Sequence, residues 1–118
     1  MAVHIDFGKL GEELAEKYLL GKGYSILHKN WRYSRLEIDI IALKNEVPHF
    51  IEVKIRSSQT FGFPEESVTK KKLRSLLKAA DEFLYQNLNY KNFRIDILSI
   101  TMHYNTEPEF FLIEDIYW

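Results

Sequence analysis

The chain has 118 residues and a mass of 14.1 kDa, room for one domain over 1–118 whose core removes roughly 60–70% of the unfolded surface from water. Hydrophobic residues make up 46% and charged residues 28%, which excludes a disordered or fibrous chain; the lack of Cys excludes a disulfide framework, a thiolate metal site and a cysteine nucleophile. Sixteen Lys and Arg against 17 Asp and Glu give a net charge of −1, which excludes a carpet-like polyanion binder but allows a local basic stripe. No apolar run approaches the ~18 residues of a membrane span and the N-terminus lacks a signal-peptide pattern, so a cytoplasmic protein with no membrane partner is expected.

Residues 7–20 predict a helix, with Asp6 as its cap and Ile5 placed to staple against Leu10. Phe7, Leu10, Leu14 and Tyr18 fall on one face, Gly8, Gly11 and Ala15 form a ridge of small residues beside it, and the Gly21–Gly23 pair ends it. Strands follow over 24–33, 36–44 and 48–56, the last two joined across Asn45-Glu46. Residues 57–66, with Gly62 and Pro64, read as a loop. A second helix spans about Ser67 to Gln86 on an apolar arc of Leu73, Leu76, Leu77, Ala80, Phe83 and Leu84, and two more strands come near 93–101 and 109–116. The order α-β-β-β-α-β-β predicts an α/β domain, a central mixed sheet flanked by helices.

The 36–56 hairpin carries the chemistry. With the turn centred on Asn45-Glu46, paired positions sum to 91, so Asp39 faces Glu52 and Glu37 faces Lys54. Period-two alternation then puts Glu37, Asp39, Glu52, Lys54 and Arg56 on one face and Ile38, Ile40, Ala42, Ile51, Val53 and Ile55 on the other. Two opposed carboxylates at ~5 Å and an effective dielectric of ~20 repel by on the order of 3 kcal/mol, so Lys54, a raised pKa or a bound cation must compensate. A hard divalent ion such as Mg²⁺ takes carboxylate oxygens and retains waters, leaving positions for a phosphate, and Lys54 lies where it could act on charge building there. The plainer alternative for each of these residues is a solvated strand surface.

Between Ser67 and Ala80 stand five cations and no acid. Lys70, Lys71, Arg74 and Lys78 share an arc outside the apolar stripe, either a solvated face or a track for phosphates, whereas Lys72 lies on the other edge, directed at the charged face of the sheet. His4, His28, His49 and His103 show no ligand spacing and read as surface or incidental residues; Trp31, Tyr33, Tyr90 and Tyr104 are candidates for stacking on unpaired bases.

The run Glu37-Ile-Asp39-Ile-Ile-Ala followed by Glu52-Val-Lys54-Ile-Arg56 resembles the metal-dependent nuclease superfamily built on an Asp…Glu-x-Lys core. More closely, the chain resembles the YraN-like bacterial family, related to archaeal Holliday-junction resolvases. The likeness runs through Gly8-x-x-Gly11-Glu12, Ala15, Tyr18-Leu19, Gly23-Tyr24, Ile26-Leu27, Asn30, Arg32, the two hairpin motifs, Phe61-Gly62, Val68-Thr69, Lys72, Ala79-Ala80, and Arg94 with Asp96. It departs at Ile38, where the superfamily's namesake proline stands, and at Leu36, where the closer family usually has Gly. The resemblance implies a restriction-endonuclease-like αβββαβ core. It implies Asp39 and Glu52 as ligands of Mg²⁺ or Mn²⁺, Lys54 as the catalytic lysine, and Glu12 as an acid reaching the site from the first helix. Glu37, Arg56 and Lys72 would support them. The function implied is hydrolysis of phosphodiester bonds in DNA, branched intermediates included, with a homodimer if the substrate is a two-fold junction. The rival readings are a non-catalytic nucleic-acid-binding module on the same fold, and an interaction protein whose acidic cluster holds a structural cation.

Overall fold

The computed structural model describes residues 7–58 and 68–116. The expected cap at Asp6, the staple at Ile5, His4, the loop residues Phe61, Gly62 and Pro64, and Ser67 lie outside them. The elements run α1 (Phe7–Gly21), β1 (Ser25–Tyr33), β2 (Leu36–Lys44), β3 (Val47–Ser57), α2 (Lys70–Gln86), β4 (Arg94–Met102) and β5 (Glu109–Ile113). The strands form one sheet in chain order, antiparallel throughout except for β3 and β4. Those two are parallel because the chain between them crosses over through α2. The architecture is the expected α/β mixed sheet, consistent with a restriction-endonuclease-like core.

Each sheet face is buried by one helix. Ala15 and Leu19 of α1 pack on Ile40, Ala42, Ile51, Leu98 and Ile100. Leu73, Leu76, Ala79, Ala80 and Phe83 of α2 pack on Ile38, Ile41, Phe50, Ile95 and Ile97. Gly11, Ala15 and Leu19, four apart, form the buried line of α1, so the small-residue ridge is the contact itself and Leu14 and Tyr18 flank it. Tyr24 N–H donates to Leu19 O and Gly23 N–H to Leu20 O, a Schellman closure that needs the left-handed φ of +91° at Gly23. The second helix begins three residues later than its sequence suggests. Thr69 caps it, its Oγ1 accepting from Lys72 N–H at 3.1 Å, and a Thr satisfies an orphan amide as a Ser would.

The hairpin register is the expected one from Lys44↔Val47 to Ile40↔Ile51, across a turn with Asn45 and Glu46 both left-handed. Beyond Ile51 the expectation fails. Ile38 packs beneath α2 and Ile40 beneath α1, so alternation breaks at Asp39. Glu37 does not face Lys54; it stands opposite Arg32 of β1, with an ion pair at 3.7 Å. Nor does the hairpin have one core face and one charged face. Ile41 and Phe50, on the face assigned to charge, are buried under α2, and the charge is confined to the end away from the turn. Period-two reasoning assumes an unbroken ladder, and β2 leaves β3 just where the acids begin.

Candidate metal and phosphate site

Where β2 parts from β3, Asp39 takes the place of the missing ladder bond. Its Oδ2 accepts from Val53 N–H at 2.8 Å, so the side chain satisfies a backbone donor that the strand no longer reaches. On the other side of β3, Glu52 is 4% exposed, and Lys54 Nζ and Lys72 Nζ each lie 3.6 Å from its Oε1. Lys54 comes from the same strand, two residues on; Lys72 comes from the first turn of α2. Two ammonium groups therefore serve one carboxylate oxygen.

Both carboxyls are held above the usual carboxylate range. For Asp39 the chief cause is burial, opposed by the Val53 N–H and by Lys72, with Glu37 adding to the rise and Lys54 opposing it. For Glu52 it is again burial, then the charge of Asp39, with Lys72 and Lys54 opposing. Like charges brought together out of water disfavour double ionisation, and the two lysines offset only part of that.

A hollow of about 130 Å³ opens beside Asp39, lined by Gly8, Gly11, Glu12, Val53 and Ile55. Glu12 thus approaches from α1, while Glu52 meets Lys72 of α2. Asp39, at the fork between strands, is shared by both sides. Ser99 was not singled out in the sequence. It stands beside Lys54 in the parallel β3–β4 register, and its Oγ is buried with no hydrogen-bond partner among the described residues. The only sequence signal is a small hydroxyl between Leu98 and Ile100 in the apolar stretch of β4.

Of the supporting residues, Lys72 reaches the acidic pair, Glu37 acts on Asp39 electrostatically while paired with Arg32, and Arg56 follows on β3, half-buried. Lys70, Lys71, Arg74 and Lys78 are arrayed along α2, all four exposed. Trp31 and Tyr90 pack edge-on and stacked against Phe83 and belong to the core rather than to a base-stacking surface; Tyr33 and Tyr104 are exposed. His49 is not the surface residue its isolation suggested: its Nδ1 lies 2.6 Å from Oδ2 of the fully buried Asp96.

Among the described residues no three His, Asp or Glu side chains form a closed metal cage. The candidate donors are instead two carboxylates, half-buried Asp39 and buried Glu52, the charge of the first acting on the second. That suits an ion such as Mg²⁺, which binds through one or two carboxylates, keeps waters and leaves room for phosphate oxygens. No helix among these residues is long and apolar enough to cross a membrane.

A family model described as "Uncharacterised protein family UPF0102" matches residues 11–100. The chain is similar to a UPF0102 protein of Flavobacterium psychrophilum, 43% identical over 93% of this chain and 90% of the relative. It is also similar to one of Flavobacterium johnsoniae, 41% identical over 98% and 94%, and to one of a Sulfurihydrogenibium species, 46% identical over 79% and 82%.

Proposed function

We infer a divalent-cation-dependent phosphodiesterase centre, with DNA as its substrate, in a chain that belongs to the uncharacterised protein family UPF0102. The observation that carries the reading is the fork itself: half-buried Asp39 and buried Glu52 both have raised pKa, the charge of Asp39 adds to the rise at Glu52, and two lysines close on the same Glu52 oxygen. Such a pair is costly to fold unless a cation uses it.

Asp39 and Glu52 would hold Mg²⁺ or Mn²⁺, which supplies Lewis-acid polarisation of a phosphoryl oxygen. Asp39 presents Oδ1, since Oδ2 is engaged by Val53 N–H. Lys54 is the group for charge building on the phosphate and for orienting the attacking water; an ammonium is a triple donor and no ligand while protonated. Lys72 favours the charged form of Glu52 against burial and would fix its orientation. Glu12 lines the same small hollow as Asp39 and would accept a proton from water. The cations of α2 start at its first turn, where Lys72 meets the site, and lead away as a track for the substrate's phosphates.

The test compares calorimetric Mn²⁺ titration with cleavage of duplex, flapped and four-way DNA. Asp39→Asn should lose both metal binding and cleavage. Lys54→Ala should keep most metal affinity and lose cleavage by about 10²-fold or more, because its interaction is strongest in the transition state. Cleavage of none of these substrates by a wild type that binds metal and DNA would leave a non-catalytic binding module. Four-way cleavage would further call for a homodimer.

A further inference from the structure

We propose that the hairpin-turn end of the sheet, remote from the acidic fork, is a second contact site that binds an unpaired nucleic-acid strand. Two hollows adjoin there. One, of about 410 Å³, is lined by Tyr24, Lys44, His49, Arg94 and Glu114 among others. The other, of about 370 Å³, shares Tyr24, Lys44 and Glu114 and adds Tyr18, Lys22, Phe110 and Phe111. Together they make one trough in which cations alternate with rings.

The cations are already set against the rings. Lys44 Nζ lies 4.8 Å from the centre of the Tyr24 ring, and Lys22 Nζ lies 5.5 Å from that of Tyr18. Tyr18 stacks on Phe110 with centroids 4.7 Å apart, and Phe111 is 54% exposed on the edge strand. Lys22, Lys44 and Arg94 face one lining carboxylate, Glu114; Arg94 also lies 3.8 Å from Asp115, and with both acids counted the three cations still leave a surplus of one positive charge. Tyr24 adds no negative charge, because burial and the nearby Asp96 push its phenol up to about 12.

The walls are fixed before any ligand arrives. Asp96 takes His49 Nδ1 on one oxygen and the N–H of Asp115 on the other, at 2.6 and 2.8 Å. A positive groove with exposed rings is the form that takes single strands, since every base has a face to stack and every nucleotide a phosphate. Small hydrophobic ligands are a poor match for a trough whose rings carry ammonium groups. The placement suits a strand leaving the fork. Gly8 and Gly11 line the acidic hollow and Tyr18 lines the trough, so α1 separates them by ~10–15 Å at ~1.5 Å per residue. A few nucleotides of an unpaired strand span that distance.

The proposal shares with the proposed function only nucleic acid as the partner, so binding is measured in EDTA, where cleavage plays no part. Fluorescein-labelled oligo-dT of about 15 nucleotides and a duplex of the same length are titrated by anisotropy at several salt concentrations. Lys22→Ala with Lys44→Ala should reduce the single-strand salt slope by about 1.4, at ~0.7 for each phosphate neutralised. Phe111→Ala should weaken the oligo-dT complex at least about fivefold with the slope unchanged, and Phe111→Tyr should restore it. Duplex affinity of each variant should stay within about twofold of wild type. Failure of the wild type to bind oligo-dT, unchanged binding by the variants, or equal weakening on duplex would each overturn the trough.

Discussion

At the scale of single residues, Asp39 sets the balance between stability and use. An aspartate's unfolded value lies near ~3.9, and burial holds Asp39 above its ordinary value in the fold, so the folded state binds the extra proton. The resulting cost is absent below the unfolded value, grows as pH rises, and is complete above the raised folded value. Asp39→Asn removes that cost while its amide oxygen can still accept from Val53 N–H. In EDTA the variant should melt above wild type at pH ~7.5, and the two should converge toward pH ~4, near the unfolded aspartate value. Mn²⁺ should raise the wild-type melting temperature and leave the variant unmoved; thermal melts over pH ~4–8 with and without metal check both. The charges of this site were readable in the chain, because five of them crowd the same hairpin end. The reach of Lys72 was readable from its place on the edge of the apolar arc. What could not be read was that Asp39 would cap Val53 N–H, or that His49 would find Asp96, because both depend on where strands part and meet in space. A lone His in a strand carries no mark of a partner 47 residues away.

At the scale of elements, the hairpin was the most legible piece. Its turn type follows from its two residues, and Asn45 at φ 51° and Glu46 at φ 65° both occupy the left-handed region. Asn accepts that conformation readily; Glu does not. Glu46→Gly should therefore stabilise the protein by about 0.5–1 kcal/mol, the left-handed strain relieved less the extra entropy glycine gives the unfolded chain. A shift in urea midpoint at constant slope would show it, and a loss of stability would mean that Glu46 makes an interaction worth more than its strain. The helices were legible as amphipathic faces, but sequence periodicity ranks residues by hydrophobicity, so it favoured the Leu10–Leu14–Tyr18 face of α1 over the Gly11–Ala15–Leu19 line that makes the closest contact. The α2 cations belong to the same scale. Neutralising Lys70, Lys71, Arg74 and Lys78 together should flatten the salt dependence of duplex binding by up to ~0.9 for each phosphate no longer neutralised, while the oligo-dT slope set by the trough is retained. An unchanged duplex slope would assign the stripe to solvation alone.

At the scale of the whole molecule, the order of elements and the mixed sheet were legible because each segment's period, caps and turns agree with one global arrangement. The sequence says less about what holds β5 and the chain beyond it. That task falls on Asp96, fully buried between the two ends of the sheet's later half. One oxygen receives His49 of β3 at 2.6 Å, the other accepts from the N–H of Asp115 past β5, and Ile116 N–H donates to Ile95 O at 2.8 Å beside it. Removing one partner of such a buried pair leaves polar groups without water or bonds, at a cost of about 3–5 kcal/mol. Against the ~5–15 kcal/mol that a domain commands, Asp96→Ala should leave a marginal fold or none at ~37 °C. Asp96→Asn keeps an acceptor for Asp115 N–H and should lose less. The two variants separate on a urea curve: Asp96→Ala shifts the midpoint by the larger amount, and hydrogen exchange in Asp96→Asn accelerates first at Asp115 and Ile116. If Asp96→Ala unfolds within ~1 kcal/mol of wild type, below the usual cost of an unsatisfied buried group, the pair does not hold the end of the sheet, and the packing of Ile95, Ile113 and Ile116 alone closes it.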